Sequence, residues 1–182
     1  MEKARLQELY EKQIRPELGK KLGLNNVMQV PRISKVVVNL GVKEAVADSK
    51  ILQSVASITA QITGQKPKQT QAHKSVSAFK IREGMPLGVM VTLRKRAMYE
   101  FLDRLINLAL PTVRDFQGVT DKFDGRGGYN LGIRDWTIFP EVDFSVTDKG
   151  HGMNITIHTT AKNNEQGYEL LKAFGMPFKK KK

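Results

Sequence analysis

The chain has 182 residues, 40% of them hydrophobic, and it carries a net charge of +12 with a pI near 9.9. That length suits one domain with a substantial core, and that charge favours a polyanionic partner such as a nucleic acid. The absence of cysteine excludes disulfides and thiolate metal sites, and no apolar run approaches the roughly 20 residues that span a bilayer.

The first predicted element is an N-terminal helix, from about Lys3 to Gly19 within the region 1–22. Its apolar side chains recur at helical spacing, and Pro16 is expected to fray or kink its end. Glutamates alternate with its bases, so it lacks the strongly basic face of a helix that binds an anionic membrane. The charged segment Met1–Tyr10 is unlike a signal peptide, and we expect a cytoplasmic protein with no membrane partner.

A strand and a helix follow. Apolar residues alternate along the predicted strand Arg32–Leu40, which puts Asn39 on its polar face. Asp48 is a good N-cap for a helix whose apolar residues recur at helical spacing, and Gly64 supplies the left-handed residue that ends it.

Positive charge is concentrated in Lys66–Arg96, where 31 residues carry a net charge of +7. Residues 66–82 contain few apolar side chains and are predicted to form a basic loop that orders on its partner, with a short strand around Val76–Arg82. Lysines in this loop are expected to act as point charges on phosphates. The alternative is an ordinary solvated face, but charges at this density repel one another unless a partner neutralises them.

Two further strands and two further helices are predicted. Leu87–Arg94 and Met153–Thr160 alternate as strands, a helix spans about Arg96–Leu110, and another follows the capping residue Asn163.

The last part of the chain differs in charge. Residues 97–178 carry a net charge of −3, and the stretch 111–150 is rich in glycine and turns. A contact with another protein is expected there rather than with RNA. The lysines of the tail 179–182 are predicted to be flexible.

These patterns predict an α+β fold: an antiparallel sheet with helices packed on one face, an open polar face, and an additional N-terminal helix. The whole chain, 1–182, is predicted to be a single domain. Hydrogen-bonding side chains on an open face suit a nucleic-acid backbone, although a solvated sheet face is the alternative. The predicted open face carries Asn39, Thr92, Arg94, Thr156 and His158.

No set of residues has the pattern of a catalytic or metal site, and no cofactor is expected. His73, His151 and His158 lie at no metal-ligand spacing. The segment Asp124–Gly128 lacks the lysine and serine of a phosphate-binding loop, so a tight turn is predicted. A site assembled from scattered carboxylates stays an open alternative.

Several stretches occur together in the order expected of one family. They include Val30-Pro31-Arg32-Ile33, Val38-Asn39-Leu40-Gly41, Gly64-Gln65-Lys66-Pro67, Phe79-Lys80-Ile81-Arg82, Val91-Thr92-Leu93-Arg94, Phe123-Asp124-Gly125-Arg126 and Gly175-Met176-Pro177-Phe178. In these motifs the chain resembles the family of large-subunit ribosomal protein five of the bacterial type, over nearly its whole length.

The resemblance implies a structural protein that binds 5S ribosomal RNA in the central protuberance, beside 23S ribosomal RNA and other 5S-binding ribosomal proteins. The rRNA contacts that it implies, together with the basic residues beside them, are Asn39, Gln65, Lys66, Lys68, Thr92 and Arg94. It also implies that the loop Gln71–Arg82 reaches the tRNA in the peptidyl site. The contacts expected there are Lys74, Ser75, Lys80 and Arg82.

The acidic region is expected, from the same resemblance, to face a small-subunit ribosomal protein across an intersubunit bridge. Two alternatives belong to other classes: a nucleic-acid chaperone or regulator that acts off the ribosome, and an enzyme acting on RNA or phosphorylated metabolites. The second requires a pocket of titratable groups with perturbed pKa values.

Overall fold

The computed structural model describes residues 3–46, 48–142 and 150–179, and it has an α+β fold. The described strands are β1 Ile33–Gly41, β2 Lys68–Gln71, β3 Pro86–Leu93, β4 Tyr129–Ile133 and β5 Met153–Thr159. They form an antiparallel sheet in the order β2-β3-β1-β5-β4. The described α-helices are α1 Arg5–Leu9, α2 Arg15–Lys21, α3 Ser49–Thr63, α4 Lys95–Arg104, α5 Leu110–Thr112 and α6 Asn164–Ala173.

The N-terminal helix continues past its proline. A π-helical turn, Tyr10–Ile14, joins α1 to α2, and Pro16 stands in the first turn of α2. A proline is tolerated there because the first amide groups of a helix have no intrahelical acceptor. The expectation that Pro16 frays the end is wrong, since the helix extends to Lys21, and an irregular π-helical turn precedes the proline.

The described residues divide into two compact units. The first unit draws on Met1–Val36, Leu93–Leu131 and Thr156–Lys182. In it α1 packs beside α4, and the Tyr10 ring stacks on Phe174 with 5.8 Å between ring centroids.

The second unit draws on Val37–Thr92 and Gly132–Ile155. Its helix α3 begins as predicted, because Asp48 Oδ1 accepts the Lys50 N–H at 2.8 Å. It ends at Gly64, whose φ of 68° is left-handed. The apolar side of α3 is buried together with alternate residues of β1 and β3, and these form the core of the unit. The buried residues in question are Leu52, Val55, Ile58, Ile62, Val38, Leu40, Val89 and Val91.

The strands alternate as predicted, but three segments differ from expectation. Lys68–Gln71, predicted as loop, forms the strand β2, because β3 supplies its backbone partners. The predicted strand around Val76–Arg82 is wrong: a 3-10 turn, Ser77–Phe79, lies there, and a single bridge joins Val76 to Ile81. β4 lies within the stretch 111–150, which was predicted to be rich in glycine and turns and for which no strand was predicted.

The tight turn predicted at Asp124–Gly128 is confirmed. Asp124 Oδ1 accepts the N–H groups of Arg126 and Gly128, each at 2.8 Å. Asn163 also caps α6 as predicted, accepting the Gln166 N–H at 3.0 Å. Both features organise the first unit by local side-chain to backbone bonds, which gives the glycine-rich turn a structural role.

Candidate nucleic-acid interface

Asn39 and Thr92 lie on the side of their strands that faces away from the core of the second unit. The neighbours of Asn39 along β1, Val38 and Leu40, have no exposed surface, whereas Asn39 itself is exposed. On the adjacent strand β3, Thr92 is half-buried between fully or nearly fully buried residues. Alternation therefore places both side chains on the open face, as the sequence predicted.

The edge strand β2 adds a cation to the same face. Its register pairs Lys68 with Met90 and Thr70 with Gly88. Directly paired residues of an antiparallel ladder point to the same side of the sheet, and Met90 is on the side of Thr92. Lys68 is exposed and Thr70 half-buried. We name the group Asn39, Lys68, Thr70, Met90 and Thr92 the open face.

Gly88 brings the strands of the open face close together. A Cβ atom at this position would lie 2.4 Å from the Leu40 carbonyl oxygen and 3.0 Å from Thr70 Oγ1. Only glycine permits such an approach of two backbones in a strand. The polar side chains of neighbouring strands therefore stand on a tight, rigid surface. The alternation of apolar residues gave no sign of this close approach.

Gln65 and Lys66 follow the end of α3 and are both exposed. The left-handed Gly64 redirects the chain there, and Lys68 begins β2 only two residues after Lys66. Within the part of the chain that the structure describes, the side chains of Asn39, Gln65 and Thr92 form no hydrogen bond to the protein. Their hydrogen-bonding groups are therefore available to a ligand.

The segment Gln71–Arg82 is a closed loop with cations on its surface. Its base is held by the Ala72 N–H, which donates to the Met85 carbonyl at 2.9 Å, and by the Glu83 N–H, which donates to Ser75 Oγ at 2.9 Å. Ser75 therefore has a structural partner within the loop.

Nearer the tip of this loop, Val76 and Ile81 exchange backbone bonds of 2.9 and 3.1 Å. Lys80 takes a left-handed conformation with φ of 55°. The side chains of Lys74, Lys80 and Arg82 are exposed. Phe79 is 70% exposed at the tip, and the sequence patterns did not single it out.

The remaining predicted residues belong to the first unit. Arg94 is exposed and immediately precedes α4. Thr156 and His158 are half-buried on β5, and Thr156 Oγ1 donates to Asn130 Oδ1 at 3.1 Å. Burial lowers the pKa of His158, and the nearby positive charge of Lys35 lowers it further. At neutral pH this imidazole is therefore uncharged.

The described residues contain no group of three or more histidine or acidic side chains placed to hold a metal ion. In the same residues, no helix combines the length and apolarity needed to cross a membrane. An open groove in the first unit is lined by residues that include Arg5, Asp103 and Leu108.

Known protein families and individual proteins match this chain over nearly its whole length. Residues 26–82 match the family model described as ribosomal protein L5, and residues 86–178 match the model of the C-terminus of the same ribosomal protein family. The large ribosomal subunit protein uL5 of Syntrophotalea carbinolica is 59% identical over 98% of this chain and 97% of its own length. The protein of the same name from Acidobacterium capsulatum is 58% identical, over 97% of each chain. That of Mesoplasma florum is 55% identical, over 98% of this chain and 99% of its own.

Proposed function

Since this chain belongs to the ribosomal protein L5 family, we propose that it binds 5S ribosomal RNA through the open face of its second unit. Family membership makes it a structural constituent of the large ribosomal subunit and not an enzyme. Its place is on the ribosome, which in bacteria is cytoplasmic, as the sequence predicted. The choice of 5S RNA and of the contacting residues is our proposal.

One observation carries the proposal. Asn39, Thr92 and Gln65 have hydrogen-bonding groups without a protein partner among the described residues, and exposed lysines stand next to them in the chain and on the sheet. Uncharged polar groups on a pair of strands can hold an RNA helix in place through hydrogen bonds to its backbone and shallow groove. The cations Lys66 and Lys68 neutralise the phosphates that this approach brings near. Arg94, on the first unit, is proposed as a separate phosphate contact.

The direction of these groups matters as much as their type. Asn39 and Thr92 have short side chains on strands whose backbone is already fixed, so little conformational entropy is lost when they bind. RNA helices present 2′-hydroxyl groups and phosphates rather than readable base edges. We therefore expect recognition of a folded RNA shape, with 23S ribosomal RNA and other 5S-binding ribosomal proteins as neighbours in the same assembly.

The loop Gln71–Arg82 is proposed to contact the tRNA in the peptidyl site. Its support is the exposure of Lys74, Lys80 and Arg82 on a loop closed by its own backbone bonds. Ser75 is proposed to keep the loop closed, by accepting the Glu83 N–H, while the loop contacts tRNA. Lys80→Ala combined with Arg82→Ala should weaken tRNA binding to purified ribosomes while leaving 5S RNA binding unchanged. An equal loss of tRNA binding and 5S RNA binding would contradict the proposal that the loop and the open face bind different RNAs.

The acidic region is proposed to contact a basic small-subunit ribosomal protein across the intersubunit bridge. Its support is the net charge of −3 in residues 97–178, against +12 for the whole chain. Two of its acids, Asp143 and Asp148, lie outside the described residues. Cross-linking of assembled ribosomes through cysteines introduced at exposed acidic positions tests this contact, and cross-links confined to large-subunit components would contradict it.

The experiment that tests the main proposal is footprinting of the purified protein on transcribed 5S RNA. Protection of one contiguous region is expected, together with its loss in the double variant Asn39→Ala, Thr92→Ala. The matched control is Gln53→Ala, which changes an exposed polar side chain on α3. Unchanged protection in the double variant would contradict the assignment of the open face as the 5S RNA-binding surface. Co-sedimentation with large subunits separates this function from that of a chaperone acting off the ribosome.

A further inference from the structure

The short turn Val27–Gln29 of the first unit exposes two large apolar side chains side by side. Met28 is 76% exposed and Val27 is 58% exposed. Scattered apolar side chains on a surface need no explanation, but adjacent ones in a single turn leave an apolar surface in contact with water. This turn shares no residue with the open face or with the basic loop, and neither contact proposed above uses it.

The backbone of this turn is fixed. Asn26 Oδ1 accepts the Met28 N–H at 2.8 Å, which caps the turn. Arg15 Nη2 donates to the Val27 carbonyl oxygen at 3.3 Å and lies 3.8 Å from Met28 Sδ. Two residues further on, Pro31 is buried. The backbone that carries the exposed side chains is therefore already ordered, so a ligand could bind there without the entropy cost of ordering a flexible loop.

The surroundings of the turn are positively charged. The guanidinium of Arg15 lies against it, and both Arg15 and Arg32 are near enough to Tyr10 to oppose the rise in its pKa that burial causes. Glu11, on the same helix, is hydrogen-bonded to Lys3, and the charge of Arg15 also lowers its pKa. Among the described residues, neither Arg15 nor Arg32 forms a salt bridge. An apolar surface beside these guanidinium groups suits a ligand that has both an apolar face and a negative charge.

We propose that this turn is a second RNA-binding site, in which an unpaired nucleobase packs on Met28 while Arg15 and Arg32 neutralise the flanking phosphates. Unstacked bases in RNA loops are bound by apolar surfaces and guanidinium planes, and every base has a face that can pack in this way. The inference rests on the proposed function, because it takes ribosomal RNA as the ligand, but it uses only residues of the first unit.

The test uses the full chain and transcribed 5S RNA. Met28→Ser should bind the RNA about tenfold more weakly than the wild type, a loss at the low end of what one base stacked on an aromatic side chain contributes. It should also expose one unpaired base to dimethyl sulfate or carbodiimide that the wild type protects. Met28→Leu should restore both. Leu108→Ser is the matched control, since Leu108 is 51% exposed elsewhere in the same unit and its loss should change neither readout.

Each outcome decides a different point. If the wild type binds the RNA but Met28→Ser binds and protects it equally well, the second site is overturned and the open face is untouched. If the wild type itself fails to bind, the proposed function fails and this inference fails with it. If sedimentation shows a wild-type dimer that Met28→Ser dissociates, the turn belongs to a contact between copies and the RNA assignment is overturned.

Discussion

At the scale of residues, the open face depends on two polar side chains in strands whose other side is fully buried. Asn39→Ala and Thr92→Ala should each weaken 5S RNA binding by about 1–3 kcal/mol, because each leaves a polar group of the RNA without its partner. Filter binding measures the loss, and Gln53→Ala should show none. Far-UV circular dichroism should be unchanged, because neither side chain is in the core; a lost signal would mean that the residue serves the fold.

Gly88 allows a separate prediction about stability. Gly88→Ala should destabilise the protein by about 1–3 kcal/mol, because the new methyl group meets the Leu40 carbonyl oxygen and forces the strands apart. Gly41→Ala is the matched control, since a Cβ there meets nothing within 4 Å and the residue lies in β1. Urea denaturation of both variants measures the difference. Equal stability of the two variants would show that the sheet opens at Gly88 without strain.

At the scale of elements, an ion pair joins α1 to α4 in the first unit. The Arg5 guanidinium, by hydrogen bond and charge, lowers the pKa of Asp103, and the Asn107 amide contributes to the same shift. A carboxyl with a lowered pKa stabilises the folded state above its ordinary pKa of 3.8 and loses that contribution as pH falls through the lower folded value. The pair should therefore stabilise the protein at neutral pH and not in acid.

The size of this effect is limited by solvent. The Arg5 side chain is 68% exposed, so the coupling energy between Arg5 and Asp103 should be no more than about 1 kcal/mol. A double-mutant cycle of Arg5→Gln and Asp103→Asn, measured by urea denaturation at pH 7, gives this energy. Repeating the cycle at pH 2.5 should remove most of it. A coupling that is the same at both pH values would contradict an ionic origin.

Elements with a strong local signal were predictable from sequence, and elements defined by their neighbours were not. The helix α3 carries its own cap, apolar period and terminal glycine, so Asp48 and Gly64 mark its ends in the sequence. The strand β2, Lys68–Gln71, has no apolar residue, and its structure depends on hydrogen bonds from β3. The N-terminal helix was predicted to reach Gly19, but the π-helical turn Tyr10–Ile14 within it was not predicted.

The candidate site was likewise predictable only where the signal lies in the local sequence. Alternation in β1 and β3 was enough to place Asn39 and Thr92 on the open face, because the buried side of a strand determines the other side. Met28 and Phe79 could not be found in this way, since an apolar residue in a sequence is expected to be buried. Their exposure is a property of tertiary structure.

At the scale of the whole molecule, charge separates along the chain. The 31 residues from Lys66 to Arg96 carry +7, whereas residues 97–178 carry −3. The positive stretch includes Lys66, Lys68 and the exposed bases of the loop, so it is the part expected to displace counterions from RNA. The negative stretch should be repelled by phosphates, which limits the orientations in which the chain approaches RNA.

This separation predicts the salt dependence of binding. The logarithm of the 5S RNA association constant should fall linearly with the logarithm of salt concentration, by about 0.7–0.9 for each phosphate neutralised. Lys66→Gln combined with Lys68→Gln should make the slope shallower by up to about two such steps. Asn39→Ala should lower affinity at every salt concentration without changing the slope, because its amide is uncharged. Gel-shift titrations from low to moderate salt measure all three proteins, and a lysine variant whose slope matches that of the wild type would show that these cations do not contact phosphate.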